Sequence, residues 1–206
     1  MTDVIQIHPD NPQHRLIIRC VDVIREGGVV AYPTDSGYAL GCHLGDKSAH
    51  DRICQIRQVD AHHNFTLLCR DLSEVSLYAV FDTPVYRLLK AHTPGQYTFI
   101  LQATREVPRR CIHPRRKTIG LRVPTHRIAR DILATLNEPM LTTTLILPPD
   151  DDPLADPDEI SRRLDGRVDL IVDGGWTGSR PTTVVNLMEF PYRVLRRGEG
   201  DPTDFE

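Results

Sequence analysis

Residues 27–41, GGVVAYPTDSGYALG, constrain the fold of this chain more than any other stretch. Val29, Val30, Ala31 and Tyr32 form a β-branched and aromatic run, which reads as a strand. Pro33 is expected to end it, because proline lacks the N–H that a central ladder needs. Thr34, Asp35 and Ser36 follow at once. A hydroxyl, a carboxylate and a hydroxyl then stand at a strand's end, where α/β sheets hold ligands. The same three residues also suit an Asp-centred turn into the next strand, with Asp35 ordering it. Gly37 and Gly41 allow the backbone to turn or to approach a ligand closely.

Helix and strand signals alternate along the chain. Asn11-Pro12 reads as an N-cap with proline at the first helical position. Leu16, Ile17, Cys20, Val21 and Ile24 repeat at helical spacing up to Gly27-Gly28. Asp46 is expected to cap a helix to about Arg57, with Ala49, Ile53 and Ile56 turned inward. Phe65 to Cys69 reads as a strand. Asp82 opens a helix through Leu88 and Leu89 that stops near Pro94-Gly95. Strands are expected at 97–103 and 118–123, then a helix capped by Thr125 and a strand at 141–147. Asp156-Pro157-Asp158-Glu159 resembles a capping box for a helix to about Leu164. Strands at 168–173, 183–187 and 192–196 close the chain. The proline- and aspartate-rich stretch 148–158 is the expected mobile loop. Helices and strands alternate early and strands crowd late, which predicts an α/β fold with a mixed, twisted sheet.

The chain, at 206 residues, fits one large domain. No run of about 18 apolar residues occurs, so no membrane span is expected. The N-terminus lacks a basic and apolar leader, so no secretory signal is expected. Cys20, Cys42, Cys54, Cys69 and Cys111 form no C-x-x-C pair, which suits reduced thiols in a cytoplasmic protein. Charge is uneven. Residues 105–130 carry +8, so a chain of net charge −3 holds −11 elsewhere. Arg109, Arg110, Arg115, Arg116 and Lys117 form the densest part of that basic segment. They read either as a solvated face or as contacts for the phosphate backbone of tRNA or double-stranded RNA. No aromatic residues interleave, so shape and charge readout of a duplex suits them better than stacking on bases. His62-His63 have no partner at metal-ligand spacing, and no metal site is expected.

PTDSGYALG resembles the signature of the YrdC-like family, the threonylcarbamoyl-AMP synthases, in the form seen in its YciO branch. Further pieces follow in the family's order: Ile56–Val59, Thr98–Leu101, Thr118–Pro124, Val168–Gly175, Pro181–Val185 and Leu195–Gly198. The resemblance spans about residues 10 to 200 and implies one YrdC-like domain, a twisted mixed sheet flanked by helices. It implies joining of L-threonine, bicarbonate and ATP into threonylcarbamoyl-AMP with loss of pyrophosphate. It places Thr34, Arg122 and Thr182 at the amino-acid substrate and Arg57, Thr144 and Arg196 at the nucleotide. No residue is assigned as catalytic, because such chemistry rests on positioning and on cations around phosphate. Mg²⁺ would come with ATP, and no tightly bound cofactor is implied. The family also implies affinity for tRNA or duplex RNA.

Departures from the family pattern bear on activity. In the Lys-x-Arg pair the lysine position is Arg57 and the arginine position is Val59. In Ser-x-Asn the hydroxyl position is Thr144 and the amide position is Ile146. A histidine position is taken by Cys69. These changes predict weak synthesis. The alternatives are an RNA-binding module without efficient synthesis, or a hydrolase of a related adenylate or modified nucleoside.

Overall fold

Pro33 does not end its strand. In the computed structural model, which describes residues 2–60 and 63–205, the strand runs through proline to Thr34. His62 lies outside the described residues. The elements are, in order, β1 (Asp3–Gln6), α1 (His14–Arg25), β2 (Val30–Thr34), β3 (Gly37–His43), α2 (Lys47–Arg57), β4 (Thr66–Leu68), α3 (Leu72–Tyr78), β5 (Ala79–Val80), α4 (Thr83–His92), β6 (Tyr97–Ala103), β7 (Thr118–Arg122), α5 (Arg127–Leu136), β8 (Met140–Thr144), α6 (Pro157–Leu164), β9 (Leu170–Asp173), β10 (Thr183–Asn186) and β11 (Arg193–Arg196). Short 3₁₀ turns lie at Arg109–Cys111 and Thr203–Phe205. Among the described residues no helix is long and apolar enough to cross a membrane.

Register explains why proline is tolerated. Pro33 stands opposite Tyr38 in the β2–β3 hairpin. The Tyr38 N–H donates to the Leu154 carbonyl, and the Tyr38 carbonyl accepts from Leu145, both away from β2. The pair is therefore non-hydrogen-bonded, and the Pro33 nitrogen points to the outer flank. On that flank β9 pairs with β2 only at Val30 and Ala31, so no ladder bond is lost.

The strands form one sheet in the order β1-β9-β2-β3-β8-β4-β7-β6-β10-β11, with β5 paired to β6. Parallel pairs (β1–β9, β2–β9, β4–β7, β6–β10) mix with antiparallel ones, as the α/β reading expected. One face is sealed by α2, α3, α4 and α6. There Ile53, Val75, Leu89 and Ile160 pack on Leu40, Leu67, Leu121 and Val185. On the other face, α1 and α5 cover one half, where Ile17, Ile24, Ile128 and Ile132 meet Val30, Tyr32 and Val172. Each such buried side chain stabilises the fold by about 1.5–3 kcal/mol.

Several helix starts were legible. Asp46, Asp82 and Asp156 each accept a backbone N–H at the N-cap of α2, α4 and α6. Others differ from the sequence reading. Helix α1 begins at His14 with Gln13 at its N-cap, because His8 Nδ1 draws the N–H groups of Asp10 and Asn11 into a turn. At α5 the N-cap is His126, which makes no cap bond, and Thr125 is exposed. Glu159 pairs with Arg163 instead of closing a capping box. Strand β8 stops at Thr144, since Leu154 accepts the Tyr38 N–H and donates to the Leu145 carbonyl, which ends the ladder with β3 at that point. Helix α3 was missed although Asp71 caps it through the Glu74 N–H and Glu74 accepts from Arg70. All five cysteines are buried and free. Burial pushes the Cys42 thiol up to about 12 and the Cys111 thiol up to about 11, so both stay protonated.

Candidate functional site

The half of the sheet face left open by α1 and α5 forms a cleft of about 320 Å³. Strand alternation builds its floor. Met140 and Leu68 face the helices, so Thr142 and Thr66, two residues away, share that face. Thr142 (β8), Thr66 (β4), Gly120 (β7) and Ile100 (β6) stand opposite one another in a single row across four strands. Threonine suits a strand and leaves a low, hydroxyl-rich surface. The site is thus on a sheet face as well as at strand ends.

Arg122 rises from β7 two residues beyond Gly120. Its Nη2 donates to Asp35 Oδ1 at 2.5 Å, with side-chain exposures of 9% and 7%. Asp35 occupies the loop of the β2–β3 hairpin and does not line the cleft. It neutralises Arg122 from behind, leaving its own Oδ2 and the Arg122 Nε buried without partners. The turn itself is closed by Thr34, whose hydroxyl donates to the Gly37 carbonyl at 2.6 Å and accepts from the Ser36 N–H. Ordering of the turn therefore belongs to Thr34, and Asp35 is an ion-pair partner. Gly37 completes the hairpin at φ 106°, where a side chain would be strained.

Thr182 and Arg196 meet at the far side. Arg196 donates from Nε to the Thr182 carbonyl at 3.0 Å and from Nη2 to the Thr182 hydroxyl at 3.2 Å. Thr98 on β6 shares a hydrogen bond with the same hydroxyl. Gly198 makes this possible. A Cβ there would fall 2.2 Å from the Pro181 carbonyl oxygen, so the chain after β11 lies against backbone. Burial, then the charge of Arg122, lowers the Arg196 pKa.

Arg57, at the end of α2, reaches back over β8. Its Nη1 donates to the Thr143 hydroxyl at 2.7 Å and the Thr144 carbonyl at 2.5 Å. The hydroxyl that meets Arg57 is Thr143's, and Thr144, the residue matched to the nucleotide, lines the cleft beside it. His63 shares that hydroxyl at 3.2 Å and is kept below the usual imidazole range by burial, then by Arg57. Ile146 lines the cleft, Val59 packs on the main core, and Cys69 is fully buried there.

The basic segment divides. Arg110 and Arg116 line the cleft, whereas Arg109, Arg115 and Lys117 are exposed outside it. The lining thus brings together Arg57, Arg110, Arg116, Arg122 and Arg196, with no carboxylate among the described residues. Thr34, Thr144 and Thr182 share this lining. Sequence reading missed the Asp35 contact, the inward turn of Arg110 and Arg116, and the threonine floor. Alternation in Thr118-x-Gly120-x-Arg122 was the available signal for the floor. No group of three or more metal-ligating side chains occurs among the described residues.

A family model named Sua5_yciO_yrdC, described as "Telomere recombination", matches residues 22–198. The chain is 54% identical over 205 residues to YciO of Escherichia coli (strain K12), itself uncharacterized, with all of both chains covered. The crystal structure of E. coli YciO matches with a TM-score of 0.96. Threonylcarbamoyl-AMP synthase of Nitrosococcus oceani is 33% identical over 123 residues, covering 59% of this chain and 66% of that one. The structure of P. abyssi Sua5 complexed with L-threonine matches with a TM-score of 0.88 at 26% identity, over 96% of this chain and 58% of that one.

Proposed function

The chain belongs to the Sua5/YciO/YrdC family, on its YciO branch, and from that premise we propose that it is a slow threonylcarbamoyl-AMP synthase-like enzyme. The observation that carries the reading is one cleft that, among the described residues, holds five arginines and no carboxylate. L-Threonine, bicarbonate and ATP bring a carboxylate, a carbonate and a triphosphate to it. Arg122 takes the amino-acid carboxylate through the guanidinium nitrogens that Asp35 leaves free. Thr34, whose proton is committed to Gly37, serves as an acceptor only. Arg196, braced on Thr182, faces the nucleotide. The threonine amine takes up bicarbonate with loss of water, a carbamate oxygen attacks the α-phosphorus, the bond from that phosphorus to the bridging oxygen breaks, and pyrophosphate leaves. Mg²⁺ enters with the triphosphate, since among the described residues the cleft supplies no carboxylate to hold it.

Slowness follows from two positions. Val59 is turned to the core and Ile146 offers no hydrogen bond. Two charge-assisted contacts worth about 1.5–3 kcal/mol each amount to about 10²–10⁴-fold in rate. Incorporation of labelled bicarbonate with threonine and ATP, beside a family member that keeps Lys-x-Arg and Ser-x-Asn, tests this. Product at a small fraction of the reference rate is expected. No product, or a rate equal to the reference, overturns it.

A second reading rests on Arg109, Arg115 and Lys117, exposed beside the cleft. They suit the phosphates of tRNA or duplex RNA, which would be held by charge and shape.

A further inference from the structure

We propose that Arg110 and Arg116 hold the polyphosphate of the nucleotide in this chain, replacing the cation that position 59 lacks. The inference rests on the nucleotide reading of the cleft and names the residues that carry it.

Position 59 cannot supply a cation by a simple exchange. Gln58 ends α2 in the left-handed conformation at φ 51°, and Val59 then packs against the main core. The only α2 side chain in the cleft is Arg57, tied to Thr143 and Thr144. A triphosphate needs more cationic contact than one tethered guanidinium gives.

The connection between β6 and β7 is built to give it. Val107 and Cys111 are buried and anchor both sides of the 3₁₀ turn Arg109–Cys111. Beyond it, the His113 N–H donates to the Thr118 carbonyl and the Lys117 N–H to the His113 carbonyl, closing a tight turn. His113 Nδ1 accepts from the N–H groups of Arg115 and Arg116. These bonds fix which side chains turn inward. Arg110 extends along the cleft wall, with Nη2 on the Leu44 carbonyl at 2.9 Å and its Nε buried without a partner. Arg116 reaches the cleft from an exposed position and makes no ion pair among the described residues. A guanidinium fork matches phosphate oxygens better than an ammonium does. With no carboxylate in the lining among the described residues, neither charge is quenched there.

Isothermal titration calorimetry of the full chain with inorganic tripolyphosphate, ATP, AMP and L-threonine tests the assignment. Arg116→Gln and Arg110→Gln are expected to weaken tripolyphosphate and ATP by about 10- to 100-fold each, while AMP and L-threonine bind as before. Arg109→Gln and Arg115→Gln are expected to leave all four unchanged. Arg110 also braces Leu44, so Arg116→Gln, at an exposed position, decides the matter if Arg110→Gln unfolds. Tripolyphosphate binding unchanged in Arg116→Gln overturns the proposal. So does equal weakening by all four variants, which is a diffuse field effect, or no binding by the wild type. Selective loss of tripolyphosphate with no bicarbonate incorporation would support the clamp and refute the synthase reading.

Discussion

Asp35 and Arg122 lie 87 positions apart in the sequence, yet their side chains meet at 2.5 Å with less than a tenth of either exposed. The pair joins the β2–β3 hairpin loop to the end of β7. It thereby fixes the angle at which Arg122 enters the cleft. Removing one partner of a buried pair leaves a charge without compensation, which costs more than the pair itself contributes. Asp35→Ala is expected to destabilise the fold by about 3–5 kcal/mol in urea unfolding. Asp35→Ala combined with Arg122→Met should recover part of that loss. A double variant as unstable as the sum of the singles would show that the pair is not the source.

Gly198 predicts a second outcome. A methyl group there would press on the backbone of Pro181 and Thr182, which cannot swing aside as a side chain would. Gly198→Ala is expected to cost about 1–3 kcal/mol as overpacking. It should also weaken AMP binding, because Thr182 and Arg196 move with the displaced segment. A melting curve and an AMP titration check both parts. Wild-type stability together with wild-type affinity would refute the account.

Acid sensitivity is the third. His63 and His126 are both held below the ordinary imidazole value, chiefly by burial. For His63 the nearby Arg57 adds to this; for His126, Asp35 opposes it. Their folded-state values are therefore below the unfolded value of about 6.5. Above that pH neither state is charged and stability is unaffected. As pH falls through about 6.5, the unfolded chain takes protons that the fold refuses, and stability declines. His63→Gln with His126→Gln should flatten the decline between pH 7 and pH 5 in chemical unfolding. An unchanged profile would place the acid sensitivity elsewhere.

Salt dependence is the fourth. If Arg109, Arg115 and Lys117 contact duplex RNA, affinity should fall steeply as salt rises, because each neutralised phosphate releases counterions. Replacing all three by alanine should flatten the log–log slope by about 0.9 per lost contact, taking the B-DNA value as a guide. Anisotropy titrations at several salt concentrations measure it. No binding at low salt, or an unchanged slope, would leave these residues as a solvated face.

The candidate site was legible where the chain states its chemistry locally. Thr34, Arg122, Thr182 and Arg196 each sit in a short motif, and all four reach one cleft. Arg110 and Arg116 were legible only as members of a basic run. Nothing in Arg109-Arg110 or Arg115-Arg116 says which of two neighbours faces inward. Asp35 read as a turn residue because its partner lies in another motif.

Local rules decided the elements. Aspartate caps at 46, 82 and 156, helical spacing at Ile17 to Ile24, and β-branched runs at Val30 and Ile171 work within a few residues of themselves. Tertiary structure decided orientation. A strand's side chains alternate, so a one-residue change of register would exchange its cleft and core faces. The row of Thr142, Thr66 and Gly120 exists because three strands pair in one register. The inward arginines, the core-facing Val59 and the buried Asp35–Arg122 pair arise in the same way. Each depends on contacts between segments far apart in the chain, where no local propensity reaches.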